Sequence, residues 1–323
     1  MTEKKYDVIA LGELLIDFTD SGISPQGNPL LEANPGGAPC NVLSMLQRLG
    51  KKTAFVGKVG EDQFGRNLAD AIKEQGIDAS HLKMDPEIHT TLAIVLKKAD
   101  GDRDFAFYRK PGADIMLTED EIDPDFIKEA KIFHFGSLSL TDEPVRSATK
   151  KAIACAKEAG ALISFDPNLR EPLWETLDHA KEQIDWGMKQ SDILKISDNE
   201  IIWFTGKEDF DEGIAALKAA YPNLKFIALS MGPDGSRIYL DGKRVEKAAY
   251  LQDGTIETTG AGDTFCANML SGILDYGLDM DEETMMKVLK QANAAASLVT
   301  TKKGALRVMP TLEEVNAFIA SRE

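Results

Sequence analysis

The amino-acid sequence predicts an α/β fold in three layers, a largely parallel central sheet between helices, with a small second β-sheet beside it. Two observations carry the central layer. Short apolar runs alternate with amphipathic stretches from end to end, and helix-start and helix-stop residues bracket many of the latter. A third observation carries the small sheet: residues 13–35 and 90–109 lack helical periodicity and read as extended strands.

In order, residues 6–12 (YDVIALG) read as a strand. Residues 38–49 read as a helix, with Val42, Leu46 and Leu49 on one stripe and Gly50 as its stop. Residues 53–59 form a strand, and 65–75 a helix ended by Gly76. Residues 90–109 hold two alternating strands around Asp100-Gly101, a hairpin signal. The strand at 131–136 leads to a helix whose start is marked by Thr141, Asp142 and Pro144 and whose end is Gly160. Residues 161–166, 192–197 and 225–230 are short apolar strands separated by helical patterns, which is repeated β-α-β and hence a parallel sheet covered on both faces. No repeat or linker divides the chain, so residues 1–323 read as one domain. Segments of about 13–35 and 88–112 form its small sheet, either an edge element or a lid over a site.

Composition narrows the function classes. The chain is 43% hydrophobic and 28% charged, as expected of a globular protein. Cys40, Cys155 and Cys266 are far apart and odd in number, which argues against a disulfide framework or zinc site and fits a reducing cytoplasm. The four histidines form no metal-binding cluster. Glu13 and Asp17 interrupt the first apolar stretch, so it reads as neither a signal peptide nor a membrane span. A formal net charge of −16 makes nucleic acid and anionic membrane surfaces poor partners. Any anion site must create its own positive potential from backbone N–H groups, a lysine or a bound cation.

The familiar nucleotide-binding glycine motifs are absent. What stands out is Thr258-Thr259-Gly260-Ala261-Gly262-Asp263-Thr264-Phe265, followed by Phe265, Met269 and Ile273 on one helix face. The small residues let consecutive N–H groups point outward at a helix N-terminus, where phosphate binds and where negative charge developing in phosphoryl transfer is stabilised. Asp263 beside such a site is either a helix cap or a proton acceptor, and the motif alone supports both readings equally. A second constellation, Asn34-Pro35-Gly36-Gly37-Ala38-Pro39-Cys40-Asn41, opens another helix. Its glycines allow close ligand approach and Asn41 offers donor and acceptor for sugar hydroxyls. Glu13 and Asp17 stand near the end of the first strand, where α/β sheets place ligands. Gly232-Pro233-Asp234-Gly235, Glu200 and Asn293 would not be singled out by themselves.

Together these segments resemble the ribokinase-like (PfkB-type) carbohydrate kinase family, and within it the fructokinases. The resemblance runs through essentially the whole chain. It rests on GELLIDF, PGGAPCNVLSMLQRLG, VGKVGEDQFG, FYRKPGAD, SFDPNLR, TTGAGDTF and ANAAASLVTTKKGA. It implies the ribokinase-like three-layer fold and an ATP-dependent kinase with Mg²⁺, and raises K⁺ as a further cofactor. Asp263 matches the family's catalytic base, and Gly260, Ala261 and Gly262 its anion hole. Asp17, Gly37 and Asn41 match sugar-binding positions, with Asn34, Phe107, Arg109 and Arg170 as further sugar contacts. Lys195, Ser230, Gly232, Gly235 and Asn293 fall on the nucleotide side, and Glu200 matches the glutamate of Asn-x-x-Glu, linked to Mg²⁺ and phosphate.

Two positions depart from the family. Ser197 replaces the Asn of Asn-x-x-Glu, and Glu257 replaces the usual Asp before the Gly-Ala-Gly-Asp segment, near where relatives bind a monovalent cation. The leading expectation is conversion of fructose to fructose 6-phosphate. Alternatives are a kinase for ribose or for 2-keto-3-deoxygluconate, whose carboxylate Arg109 or Arg170 would pair, and a non-catalytic sugar- or nucleotide-binding regulator. A glycosidase is disfavoured because no carboxylate pair has a strand-end context. A homodimer through the small sheet is a further expectation.

Overall fold

The structure, a computed structural model, describes residues 4–97 and 103–322. The first half contains β1 (Tyr6–Leu11), β2 (Leu15–Ile23), β3 (Pro29–Gly36), α1 (Ala38–Arg48), β4 (Thr53–Gly60), α2 (Gln63–Glu74) and β5 (Asp78–Asp85). Then come β6 (Leu92–Lys97), β7 (Arg103–Tyr108), α3 (Pro124–Ile127), β8 (Ala130–Gly136), α4 (Val145–Glu158) and β9 (Leu162–Asp166). The second half continues with α5 (Leu177–Gln190), β10 (Ile193–Ser197), α6 (Asp198–Thr205), α7 (Phe210–Ala220), β11 (Phe226–Ser230), β12 (Ser236–Leu240) and β13 (Lys243–Lys247). Three helices close it: α8 (Ala261–Tyr276), α9 (Glu282–Val299) and α10 (Leu312–Arg322).

Among the described residues the strands form two sheets. The large one has the order β13-β12-β11-β10-β9-β8-β1-β4-β5 and is parallel from β5 to β11. Side chains along each strand alternate between its two faces. On β1, Val8 and Ala10 join the core under α1, α2, α8 and α9, while Ile9 and Leu11 join the core under α4, α5 and α7. This is the expected three-layer arrangement, with a hydrophobic core on each face of the sheet. The small sheet has the order β3-β2-β6-β7. β6 and β7 pair antiparallel as a hairpin requires, and the Asp100-Gly101 turn lies outside the described residues.

Strand order reverses between β1 and β8, and in open α/β sheets the crevice at the carboxyl ends beside such a switch is where ligands bind. Three features go beyond the expectation. α2 starts two residues early because the Asp62 carboxylate accepts from the Gly65 N–H at 2.8 Å and caps it. β5 was not expected, since DASHLKMD is polar and half-exposed at the sheet edge. β12 and β13 extend the other edge antiparallel, where the sequence showed only the Gly232–Gly235 turn. Cys40, Cys155 and Cys266 are free, and among the described residues no helix is long and apolar enough to cross a membrane.

Candidate active site

The N-terminus of α8 is the centre of the site. Gly260 stands in the left-handed region (φ 78°), and a Cβ there would lie 2.6 Å from the Cβ of Ala305, so glycine is required twice over. No side chain caps the helix; the Ala261 N–H donates to the Thr258 carbonyl at 3.2 Å, and Gly262 behind it lines the adjoining cavities. Asp263, in that first turn, is buried, and its Oδ2 accepts a hydrogen bond from the Asn41 Nδ2 of α1 at 2.8 Å. Burial pushes the Asp263 carboxyl above its ordinary value, against the opposing effects of the Asn41 donor, Lys195 and Arg170.

Three cavities meet at Gly262. The first, about 340 Å³, is lined by Glu13, Asp17, Gly37, Asn41, Phe107, Arg170 and Asp263 among others. Gly37 has φ 121°, and a Cβ there would fall 2.4 Å from the Glu13 carbonyl oxygen, which explains the double glycine. The Asn41 Oδ1 is buried without a hydrogen-bond partner among the described residues, an acceptor left over for a ligand. Glu13 accepts from the Ala38 N–H at 2.8 Å. Burial raises its carboxyl to about 7 and does the same to Asp17, which Arg170 opposes and Glu257 and Asp263 reinforce. Among the described residues the ionisable lining is therefore three carboxyl groups and one cation, Arg170.

The second cavity, about 390 Å³, is polar and takes in Asn168, Arg170, Lys195, Ser197, Glu200, Ser230 and Gly232. Lys195 pairs with Asp166 at 3.0 Å, and a Cβ on Gly262 would lie 3.3 Å from its Nζ. Burial works to lower the lysine pKa, but Asp166 and Glu200 outweigh it and hold the pKa above the ordinary value, so Lys195 is charged. The third cavity, about 520 Å³, is mostly apolar, with Pro233, Tyr250, Leu251, Phe265 and Ala296 beside Gly235 and Asn293. Ser230 and Gly232 line both the second and third.

Arg109 and Asn34 stand outside the sugar cavity, while Asn293 and Glu200 line the expected cavities with their polar atoms engaged by the protein. Arg109 is buried and each of its guanidinium nitrogens is engaged: Nε pairs with Asp114 at 2.7 Å, and the other two donate to Thr141 Oγ1 and the Leu138 carbonyl. It does not line the first cavity, and three of its five N–H groups are engaged away from it. Asn34 is outside that lining too; its Nδ2 donates to Thr19 Oγ1 at 2.9 Å. Asn293 borders the apolar cavity, but its amide accepts from Ser236 and donates to the Lys247 and Ala248 carbonyls, pinning the end of β13. Glu200 uses Oε2 to accept from the Ser197 N–H (2.8 Å) and Oγ (2.9 Å), and Oε1 to accept from the Leu169 N–H (2.8 Å). Ser197 is thereby explained as the N-cap of α6 in a reciprocal capping box.

In the sequence Glu13 reads only as a strand-end carboxylate, and Asp166 and Asn168 do not stand out as single residues. Asp166 closes β9 and accepts from the Asn168 N–H, so the Asp-Pro-Asn of SFDPNLR was the signal available for both.

Comparison with known proteins agrees with this geometry. The profile of the pfkB family carbohydrate kinases matches residues 5–312. Fructokinase-2 of Solanum lycopersicum is 43% identical over 310 residues, covering 95% of this chain and 94% of the relative. The fructokinase of Xylella fastidiosa with bound ATP superposes with a TM-score of 0.88 at 28% identity, covering 98% and 99% of the two chains. A fructokinase double mutant from Vibrio cholerae O395, in its fructose, ADP and potassium ion bound form, superposes with a TM-score of 0.86 at 30% identity, covering 99% and 100%. The chain belongs to the pfkB family of carbohydrate kinases and is a sugar kinase.

Proposed function

We propose that this kinase transfers the γ-phosphoryl group of ATP to the primary hydroxyl of D-fructose, giving fructose 6-phosphate and ADP. The observation that carries this reading is the meeting of a small polar cavity, a second polar cavity and an apolar cavity at Gly262, with the Asp263 carboxylate alongside. The apolar cavity suits an adenine ring, the polar one with Lys195 and Arg170 suits phosphates, and the first suits a sugar. Asp263 takes the proton of the hydroxyl, whose oxygen attacks the γ-phosphorus. The β–γ bridging bond breaks, its electrons leaving with ADP. The first-turn amides of α8 face the charge that develops on the transferring group.

Among the described residues no group of three His, Cys, Asp or Glu side chains is placed to hold a metal. That fits Mg²⁺ carried in on the nucleotide phosphates, with water completing its shell. When bound, Mg²⁺ neutralises charge on the phosphate oxygens. A K⁺ requirement has support only in the potassium of the Vibrio cholerae relative. Glu257 already accepts from the Gly304 N–H at 2.6 Å.

Uncharged sugars suit the first cavity better than 2-keto-3-deoxygluconate does, because Arg109 is sequestered and three carboxylates face the ligand. A coupled ADP-release assay on fructose, ribose and 2-keto-3-deoxygluconate tests this. Fructose should lead in kcat/KM by at least about tenfold, as roughly 1.4 kcal/mol of discrimination would give. A lead for the keto acid would overturn the assignment.

The small sheet acts as a lid, since Leu15, Thr19, Val95 and Phe107 of β2, β6 and β7 line the sugar cavity. Phe107→Ala should raise KM for the sugar by roughly tenfold, the loss expected from about 1–2 kcal/mol of apolar contact, and leave KM for ATP unchanged. Equal effects on both would make the hairpin an edge element. Exposed Ile23, Leu30, Leu31 and Tyr108 on the same sheet support pairing of two copies there.

A further inference from the structure

Among the described residues, the loop after β9 carries the one cation shared by the sugar cavity and the polar cavity, Arg170. That loop is unfavourable by itself. Asn168 has φ 42°, a left-handed conformation that costs a non-glycine residue about 1 kcal/mol or more. Two buried carboxylates hold it. Asp166, paired with Lys195, accepts from the Asn168 N–H at 3.2 Å. Glu200, thirty-one residues along the chain, accepts from the Leu169 N–H at 2.8 Å. Among the described residues the exposed Arg170 side chain donates to the adjacent Leu169 carbonyl at 3.2 Å, a bond that ties it to its own loop and to no other element. Its placement is therefore set by the backbone beneath it.

We infer that Glu200 is a positioning residue: through the Leu169 amide it fixes Arg170 at the junction of the sugar and phosphate cavities. This rests on the proposed kinase reading for what Arg170 does, although the fixture itself can be measured without turnover. Both Glu200 oxygens are committed, one to the loop and one to the α6 cap, so the carboxylate does not need a metal to account for its burial. Arg170 in turn lowers the pKa of both Asp17 and Asp263, so it stands within electrostatic reach of the sugar-cavity carboxylate and of the base.

The experiment combines a double-mutant cycle with hydrogen exchange. Arg170→Ala should lower kcat by roughly 10²-fold, the scale for removing one preorganised charge-stabilising group. Glu200→Gln, whose amide cannot accept at both places, should lower kcat by roughly tenfold, the effect of modest misplacement. If Glu200 acts through Arg170, the double variant should be no slower than Arg170→Ala alone. Exchange at the Leu169 amide in the ligand-free protein should speed up in Glu200→Gln and stay unchanged in Arg170→Ala. Glu200→Asp keeps the charge but draws back by one methylene, and should match Glu200→Gln in both readouts, which also covers the case that the glutamine variant folds poorly. The Mg²⁺ concentration for half-maximal activity should be the same in all variants. Multiplying kcat losses, an unchanged Leu169 exchange rate in the Glu200 variants, or a raised Mg²⁺ requirement would overturn the inference. Absence of sugar-stimulated ADP release by the parent enzyme would instead overturn the kinase reading, and the exchange result would stand apart from it.

Discussion

Asp263→Asn should lower kcat by roughly 10²–10⁴-fold, the usual contribution of a positioned proton acceptor, with folding unaffected. Asparagine keeps the size of the side chain and can still accept from Asn41 Nδ2, so the contact between α1 and α8 survives. What is lost is charge and nearly all basicity. If Asp263 served only the helix, the swap would be almost neutral, because Asn and Asp are comparable N-terminal residues. ATP binding should hold or tighten, since a negative charge beside the phosphates has gone. The pH profile supplies a second check. The base works only when ionised, so activity falls as pH drops through its pKa. Burial raises that pKa, and the acid limb of the parent enzyme should lie above the ordinary carboxylate range. A folded Asp263→Asn variant with near-parent kcat would refute the mechanism.

Arg109→Ala should destabilise the fold by about 3–5 kcal/mol, the scale for deleting one partner of a buried ion pair. The guanidinium is buried, and without it the Asp114 carboxylate loses its ion-pair partner and keeps Thr91, while the Leu138 carbonyl loses its Arg109 donor. Arg109→Lys should recover only part of the loss, because an ammonium cannot reproduce a fork that serves three acceptors at once. Chemical denaturation measures the first effect directly. The ratio of kcat/KM for fructose to that for 2-keto-3-deoxygluconate should not move in the folded variant. A stable Arg109→Ala protein with an altered sugar preference would return Arg109 to the sugar site.

The contrast between these two residues shows what the sequence could disclose. Asp263 stands out in the sequence because three small residues, a helix start and the acid lie within six positions, although its Asn41 partner comes from another helix and the motif alone leaves cap and base open. The alternating βαβ pattern likewise discloses the inner strands of the central sheet, which are apolar on both faces. Arg109 was misread because its partners come from elsewhere. Asp114 is five residues on, but Leu138 and Thr141 reach it only after the chain has passed through β8. Glu200 posed the same difficulty. Its capping box with Ser197 is local, whereas its bond to Leu169 depends on β9 and β10 lying side by side. β5 escaped notice for a different reason: an edge strand that is half-exposed has no need of an apolar face. Asn293 fell on the right cavity, yet its amide is consumed by the end of β13, a hairpin that the sequence showed only as a turn.

The central claim is that the junction at Gly262 passes a phosphoryl group from ATP to a sugar hydroxyl. Following ATP, Mg²⁺ and D-fructose with the enzyme by ³¹P spectroscopy tests it most directly. The γ-phosphate signal should disappear, matched one for one by ADP and by a phosphomonoester identical to authentic fructose 6-phosphate. Release of inorganic phosphate without a sugar phosphate, or no fructose-dependent loss of ATP, would contradict it.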